Sequence, residues 1–282
     1  MSAYAVSLLS IIGINVILAV SLNMITGFCG QFSLGHAAFY GTGAYTAALL
    51  ASNGVSWVLA LIGGMGVAAM AGIIVGFASV RVRHDFLAIT TIGVGFLFLG
   101  FVRKQEWLGG EMGVTGIPPT GLGSQGNTIF VLIMAALVIV FSLYVNRSWM
   151  GFAFRAVSDD EDVARTLGIN VARYKLAAFG IGTGLAGLAG GLYTFFTLFI
   201  IPDAFDFIVS VSIMAMVVIG GVGSTWGVVC AAALLTIFPE LFRFINNYRL
   251  LIFGGLLLLV MKFSPGGLAG LARYLYTRAI KT

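Results

Sequence analysis

Apolar residues run in long blocks along this chain, and polar residues gather between them. The blocks cover roughly residues 4–26, 34–52, 56–79, 86–101, 128–145, 176–198, 208–222, 227–242 and 249–263. Blocks of this kind suit helices that cross a bilayer, whose core of about 30 Å takes about 20 apolar residues per crossing. The pattern predicts an all-α, polytopic membrane bundle of about nine spans, with eight to ten accommodated by the loosely defined ends. Three blocks stand apart. The block 34–52 is short and polar for a span. The blocks 208–222 and 227–242 are short enough to be half-helices or a re-entrant pair.

Composition agrees with a membrane solvent. Of 282 residues, 60% are hydrophobic and 9% charged, whereas a soluble domain carries about 25% charged residues. So few charges cannot cover a 29.7 kDa globule facing water, which excludes a soluble enzyme or binding module. Disorder needs the opposite balance. Residues 1–80 contain no Asp, Glu, Lys or Arg. The first 26 residues lack a basic n-region and a cleavage site followed by soluble sequence, so no removable signal peptide is expected. Cys29 and Cys230 form no motif and read as small packing residues.

The net charge of +5 would suggest nucleic acid in a soluble protein. In a membrane chain, basic residues instead mark the cytoplasmic side, and no nucleic-acid partner is expected. With the loop 146–175 inside, eleven of the fifteen Lys and Arg fall on the cytoplasmic face. Arg103, Lys104, Arg243 and Arg249 remain outside, and the outer segment 199–207 carries only Asp203 and Asp206. The expected orientation is N-terminus out and C-terminus in. The whole chain, 1–282, then reads as a single transmembrane domain. It has a cytoplasmic coupling loop at 146–175, a Gly-rich external loop at 102–127, and a C-terminal interfacial tail at 264–282.

Four segments carry candidate chemistry. The stretch 27–46, GFCGQFSLGHAAFYGTGAYT, is too polar to face lipid, because an unpaired polar group in hydrocarbon costs several kcal/mol. Gln31, Ser33, His36, Tyr40 and Tyr45 are therefore candidates to line a translocation pathway. On a helix His36, Tyr40 and Gly43 share one face; the alternative is polar contacts buried between helices. An intramembrane His is a functional candidate, but no acid stands beside it to make a proton relay. The loop 146–175 holds four consecutive acids, Asp159 to Asp162, and five bases. Ser158 or Asp159 is placed to N-cap a short helix there, and Gly168 to stop it. Such a helix suits docking of a cytoplasmic partner. The segment 108–126 contains seven glycines and Pro118–Pro119, which forbids a regular helix; it serves as a lid, a partner surface or a plain loop. Beyond Pro265, Leu268, Leu271, Leu275 and Ile280 alternate with Arg273, Arg278 and Lys281, as in a helix lying on anionic lipid.

The 39 glycines add a second pattern. Gly180 and Gly184, Gly187 and Gly191, and Gly72 and Gly76 are each four apart, and Gly182, Ala186 and Gly190 form a further ridge. Small ridges let helix backbones approach closely in lipid, either within the chain or between two permeases. Other patterns are missing. The sequence has no GxxxxGK[ST] loop, HExxH, GxSxG or Cys/His metal spacing. Its spans are almost free of acids, with Glu240 at a span end. That speaks against an ion-driven carrier and leaves a membrane enzyme without a constellation.

Residues 21–50, SLNMITGFCGQFSLGHAAFYGTGAYTAALL, resemble the signature of bacterial branched-chain amino acid ABC transporter permeases of the LivM type. Four more segments resemble that family in the same order: 80–95, 109–118, 155–179 and 263–271. The resemblance implies one of two permease subunits in an ATP-driven importer working by alternating access. Its implied partners are a LivH-type second permease, two cytoplasmic ATPases that bind ATP and Mg, and an external substrate-binding protein. No cofactor is implied on this chain itself. The coupling residues would be Asp160, Glu161, Asp162, Ala164, Arg165, Gly168 and Ile169. The interval from Glu161 to Gly168 is one residue longer than the general E-A-A-x-x-x-G importer pattern, and Phe96 stands where many relatives carry an acid. Urea and short-amide importers share the superfamily, and a self-sufficient transporter or channel is the other alternative.

Overall fold

The computed structural model describes residues 3–81, 84–241, 254–255 and 266–270. Among them the chain is almost entirely helical, as a backbone in lipid must be to satisfy its own N–H and C=O groups. The helices are α1 (Ala3–Asn23), α2 (His36–Ser52), α3 (Trp57–Arg81), α4 (His84–Lys104), α5 (Gly123–Arg147), α6 (Trp149–Asp159), α7 (Glu161–Thr166), α8 (Val171–Thr197), α9 (Phe207–Gly220) and α10 (Thr225–Leu241). Six stretches are long and apolar enough to cross a membrane: Tyr4–Phe28, Trp57–Ala78, Phe86–Lys104, Gly123–Arg147, Val171–Thr197 and Pro202–Gly220. The block expected at 34–52 becomes α2, of 17 residues. It starts only at His36, because the preceding residues follow an irregular path. Apart from 254–255 and 266–270, the expected span 249–263 and the tail 264–282 lie outside the described residues.

Contacts between helices fix their relative directions. Ser10 near the start of α1 bonds Thr128 at the start of α5, at 2.8 Å, while Phe28 shares a cluster with Val145 and Phe154 at the far end of α5. These two helices therefore run parallel. Thr225 at the start of α10 bonds Ser142 late in α5, at 3.1 Å, and Thr236 bonds Asn15 midway along α1, at 2.9 Å. Thus α10 runs back the other way. The blocks 208–222 and 227–242 form two adjacent helices folded about the turn at Gly221–Ser224. The described tail residues Gly266, Gly267 and Ala269 rest against that turn at Gly221 and Gly227.

Helix α8 is the hub, and its small residues explain why. A methyl group added at Gly182 would run into Ile25 and Ser21 of α1, and one at Gly190 into the backbone of Tyr40 and Ala44 of α2. On the neighbouring face, Gly187 meets Gly64 and Ala68 of α3, Gly43 meets the Gly187 backbone, and Gly72 meets Thr183. Both ridges are thus spent on contacts inside the chain. Outward faces of α3, α4 and α5 carry large apolar residues such as Met70, Ile74, Leu97 and Val140. Such faces suit lipid or another membrane helix.

Candidate functional site

Helix α1 does not end cleanly. Its last turn widens into a π-helix at Met24–Phe28, a form often found at functional sites. The chain then reverses through residues 29–35 before α2 begins. Irregular backbone is tolerated at this depth only when protein surrounds it, and four elements do so. Leu34 N–H donates to Thr91 Oγ1 of α4 at 3.0 Å. Ala37 N–H donates to Ser210 Oγ of α9 at 2.9 Å. Gly223 N–H, from the α9–α10 turn, donates to Asn23 Oδ1 at 2.9 Å. Gly30, at φ +70°, lies against Ser158 of α6, and Gly35 against the carbonyl of Thr91. Substituting either glycine forces the backbones apart.

The five pathway candidates are all buried in or beside this segment. His36 Nε2 lies 2.8 Å from Ser21 Oγ of α1. Gln31 Nε2 donates to the Cys29 carbonyl at 3.5 Å. Tyr40 packs its ring on Phe205 and Tyr193, and Tyr45 packs on Phe98 and Phe205. The expected face of His36, Tyr40 and Gly43 exists, but α1, α3 and α8 cover it. The side-chain contacts include unusual gaps. Among the described residues, Asn23 Nδ2, Gln31 Oε1, Ser33 Oγ, His36 Nδ1 and Tyr45 Oη are buried without a hydrogen-bond partner. Buried polar groups are nearly always paired, so five orphans within residues 23–45 single this segment out. Asn23, Thr91 and Ser210 hold the segment and were not distinguished by sequence, since isolated hydroxyls and amides in apolar blocks carry no spacing signal.

A second site adjoins the break at the same end of the bundle, where α5 gives way to α6, α7 and α8. Helix α6 continues through Asp159, which makes Ser158 and Asp159 helical and unavailable as caps. The N-cap of α7 is instead Asp160, whose extended backbone (φ −161°, ψ 116°) lets its carboxylate accept from the N–H groups of Asp162 and Val163. The expected stop at Gly168 is present. At φ +80° it closes the helix as Gly168 N–H bonds the Arg165 carbonyl and Ile169 N–H the Ala164 carbonyl, both at 3.0 Å, a Schellman arrangement.

The seven coupling candidates divide by direction. Ala164 is buried and Ile169 half-buried in a small apolar cluster with Cys29, Phe154, Val157 and Val171. Glu161 turns inward to an ion pair with the buried Lys175. Arg165 bonds Asp162 at 2.9 Å on the exposed side. The surface left to a partner is Asp162, Val163, Arg165 and Leu167. Val163 and Leu167, exposed and apolar, went unremarked in sequence because only the charges there drew notice. Just inside, burial pushes the Cys29 thiol up to about 12; the Lys175 charge opposes this and the Glu161 charge adds to it.

A capped helix thus lies between two long apolar helices, beside a broken and glycine-packed bundle. Residues 4–261 match the family described as the branched-chain amino acid transport system permease component. The chain belongs to that family. The permease is 36% identical over 292 aligned positions to the high-affinity branched-chain amino acid transport system permease protein LivM of Escherichia coli, covering 92% of this chain and 68% of the relative. It is 28% identical to the Pseudomonas aeruginosa permease protein BraD, covering 90% and 91%. It is also 26% identical to the LivH permease protein of Salmonella typhimurium, covering 90% of each. No solved structure matches the permease. It is a multi-pass membrane protein and a transport subunit, not an enzyme.

Proposed function

We propose that this permease is one of two membrane subunits of an ATP-binding cassette importer for branched-chain amino acids in the bacterial cytoplasmic membrane. The family match along residues 4–261 carries this reading. The relatives include both LivM and LivH proteins, which supports a LivH-type chain as the second permease. Two ATPases holding ATP and Mg, and an external binding protein, complete the assembly. The chain carries no phosphate-binding loop of its own, and α7 offers the ATPases a place to grip.

In this reading the chain crosses the membrane nine times with its N-terminus outside, and the six long apolar helices are part of that set. Helix α1 starts at the end of the bundle opposite α7. Arg147, Arg155, Arg165, Arg173 and Lys175 gather at the α7 end, against Arg103 and Lys104 at the other. This bias supports the reading that the α7 end is cytoplasmic.

Solute passes beside the broken end of α1. Unpaired groups on Gln31, Ser33, His36 and Tyr45 suit a neutral or zwitterionic solute and its water, without a fixed charge to trap it. The decisive experiment reconstitutes the chain with the partner permease, ATPases and binding protein in vesicles. Leucine uptake driven by ATP, unaffected by competing urea or short amides, is the expected result. Uptake by this chain without ATPases would refute the importer reading. In the same vesicles, His36→Ala combined with Tyr40→Ala should cut uptake at least ten-fold with the complex still assembled. Wild-type uptake would assign both residues to packing alone.

A further inference from the structure

Lysine 175 occupies a position that a lysine rarely holds. Val171, Lys175 and Ala178 lie on one face of α8 at helical spacing. That face points into the apolar cluster built by Cys29, Phe154, Val157 and Ala164. The Lys175 side chain is 3% exposed. Charged groups are almost never so buried unless paired, and Glu161, the first residue of α7, is its partner.

The pair continues outward as a ladder. The second Glu161 oxygen lies 3.6 Å from the Arg165 guanidinium, and Arg165 bonds Asp162 at 2.9 Å. Side-chain exposure rises along the ladder from 3% at Lys175 to 18% at Glu161, 58% at Arg165 and 89% at Asp162. Its inner end therefore sits beside the α1 break at Cys29, and its outer end on the surface offered to a partner. Helix α7 has only six residues, too few to hold its place by helix formation alone. Something must fix it to the bundle, and the ladder is anchored where separation of the charges would strand an ammonium among apolar side chains.

We infer that Lys175 is the positioning residue of the coupling loop. Its ammonium locks α7, through Glu161, to the base of α8, so that loop and span move as one body. The lock stays closed through the transport cycle. A pull on Asp162 or Leu167 thereby reaches α8 and the α1 break instead of merely bending the loop. The transport half of this inference rests on the importer reading above; the lock itself does not.

Two measurements separate them. In the full chain alone, backbone hydrogen exchange across residues 161–169 should accelerate about ten-fold in Lys175→Met. It should return toward the wild-type rate in the charge-exchanged pair Glu161→Lys with Lys175→Glu. Unchanged exchange in Lys175→Met overturns the lock whatever the protein transports. In the reconstituted complex, Lys175→Met should hydrolyse ATP while solute taken up per ATP falls about ten-fold, and Lys175→Arg should keep most of the coupling. A wild-type uptake-to-ATP ratio in Lys175→Met overturns the positioning role. If Lys175→Met fails to assemble, Glu161→Met with Lys175→Met removes both charges. That pair should assemble and uncouple, and full coupling in it overturns the inference as well.

Discussion

Single residues set how closely this bundle packs. Gly43, Gly187 and Gly64 allow α2, α8 and α3 to approach with backbone against backbone. Gly43→Ala places a methyl group into the Gly187 backbone, which cannot swing aside as a side chain would. Overpacking of this kind costs about 1–3 kcal/mol, and a lowered unfolding temperature in detergent is the expected result. Gly66 has open space in the chain, so Gly66→Ala should leave that temperature within about a degree of wild type, since substitutions away from packed features are near neutral. Cys29 offers a separate test. A thiol pushed up to about 12 by burial is almost wholly protonated at pH 8, and only the thiolate is nucleophilic. In Cys230→Ala, maleimide at pH 8 should leave the folded protein unlabelled and label it once denatured. Because the shift is upward, raising the pH from 7 to 9 should not open the site while the fold holds.

At the scale of elements, two short pieces matter more than the long spans. Helix α7 depends on its ends. Asp160 satisfies two amide donors at the start, and Gly168 supplies the left-handed residue at the finish. Asp160→Ala removes the cap, at a cost of about 0.5–2 kcal/mol to the helix. Proteolysis at residues 161–168 should quicken several-fold in that variant and return to normal in Asp160→Asn, whose amide oxygen still caps. The other piece is the α1 break. A π-turn followed by six or seven irregular residues would be costly in lipid, yet Thr91, Ser210 and Ser158 surround it. The polarity of 27–46 was legible in sequence as something that hydrocarbon would not tolerate. Its enclosure was not, because the groups that enclose it come from α4, α6 and α9, up to 173 residues away. The cap of α7 was misplaced by one or two residues for a related reason. Ser158, Asp159 and Asp160 are all good capping residues, and only the length of α6 decides which of them has extended backbone.

Over the whole molecule, α5 separates the Gly-rich segment, which precedes it, from the coupling loop, which follows it, and places them at opposite ends. With Cys29 and Cys230 replaced by alanine, a membrane-impermeant thiol reagent should label Thr115→Cys from outside intact cells. It should label Thr166→Cys only in inverted vesicles, where both positions are exposed on the protein. Reversal of the two patterns would overturn the orientation.

Hydrophobic pattern and the rarity of charge determined the solvent and the helical class, because both reflect local transfer of each segment from water to lipid. Basic residues gave only an expected orientation, since that bias is read loop by loop. Local turn chemistry placed a short helix before Gly168. Only the tertiary structure decided that the glycine ridges serve packing within the chain, that α2 begins beneath a surrounded break, and that Glu161 pairs with Lys175. Each of these depends on which residues meet across long separations, and an ion pair between positions 161 and 175 exists only once α7 has folded back against α8.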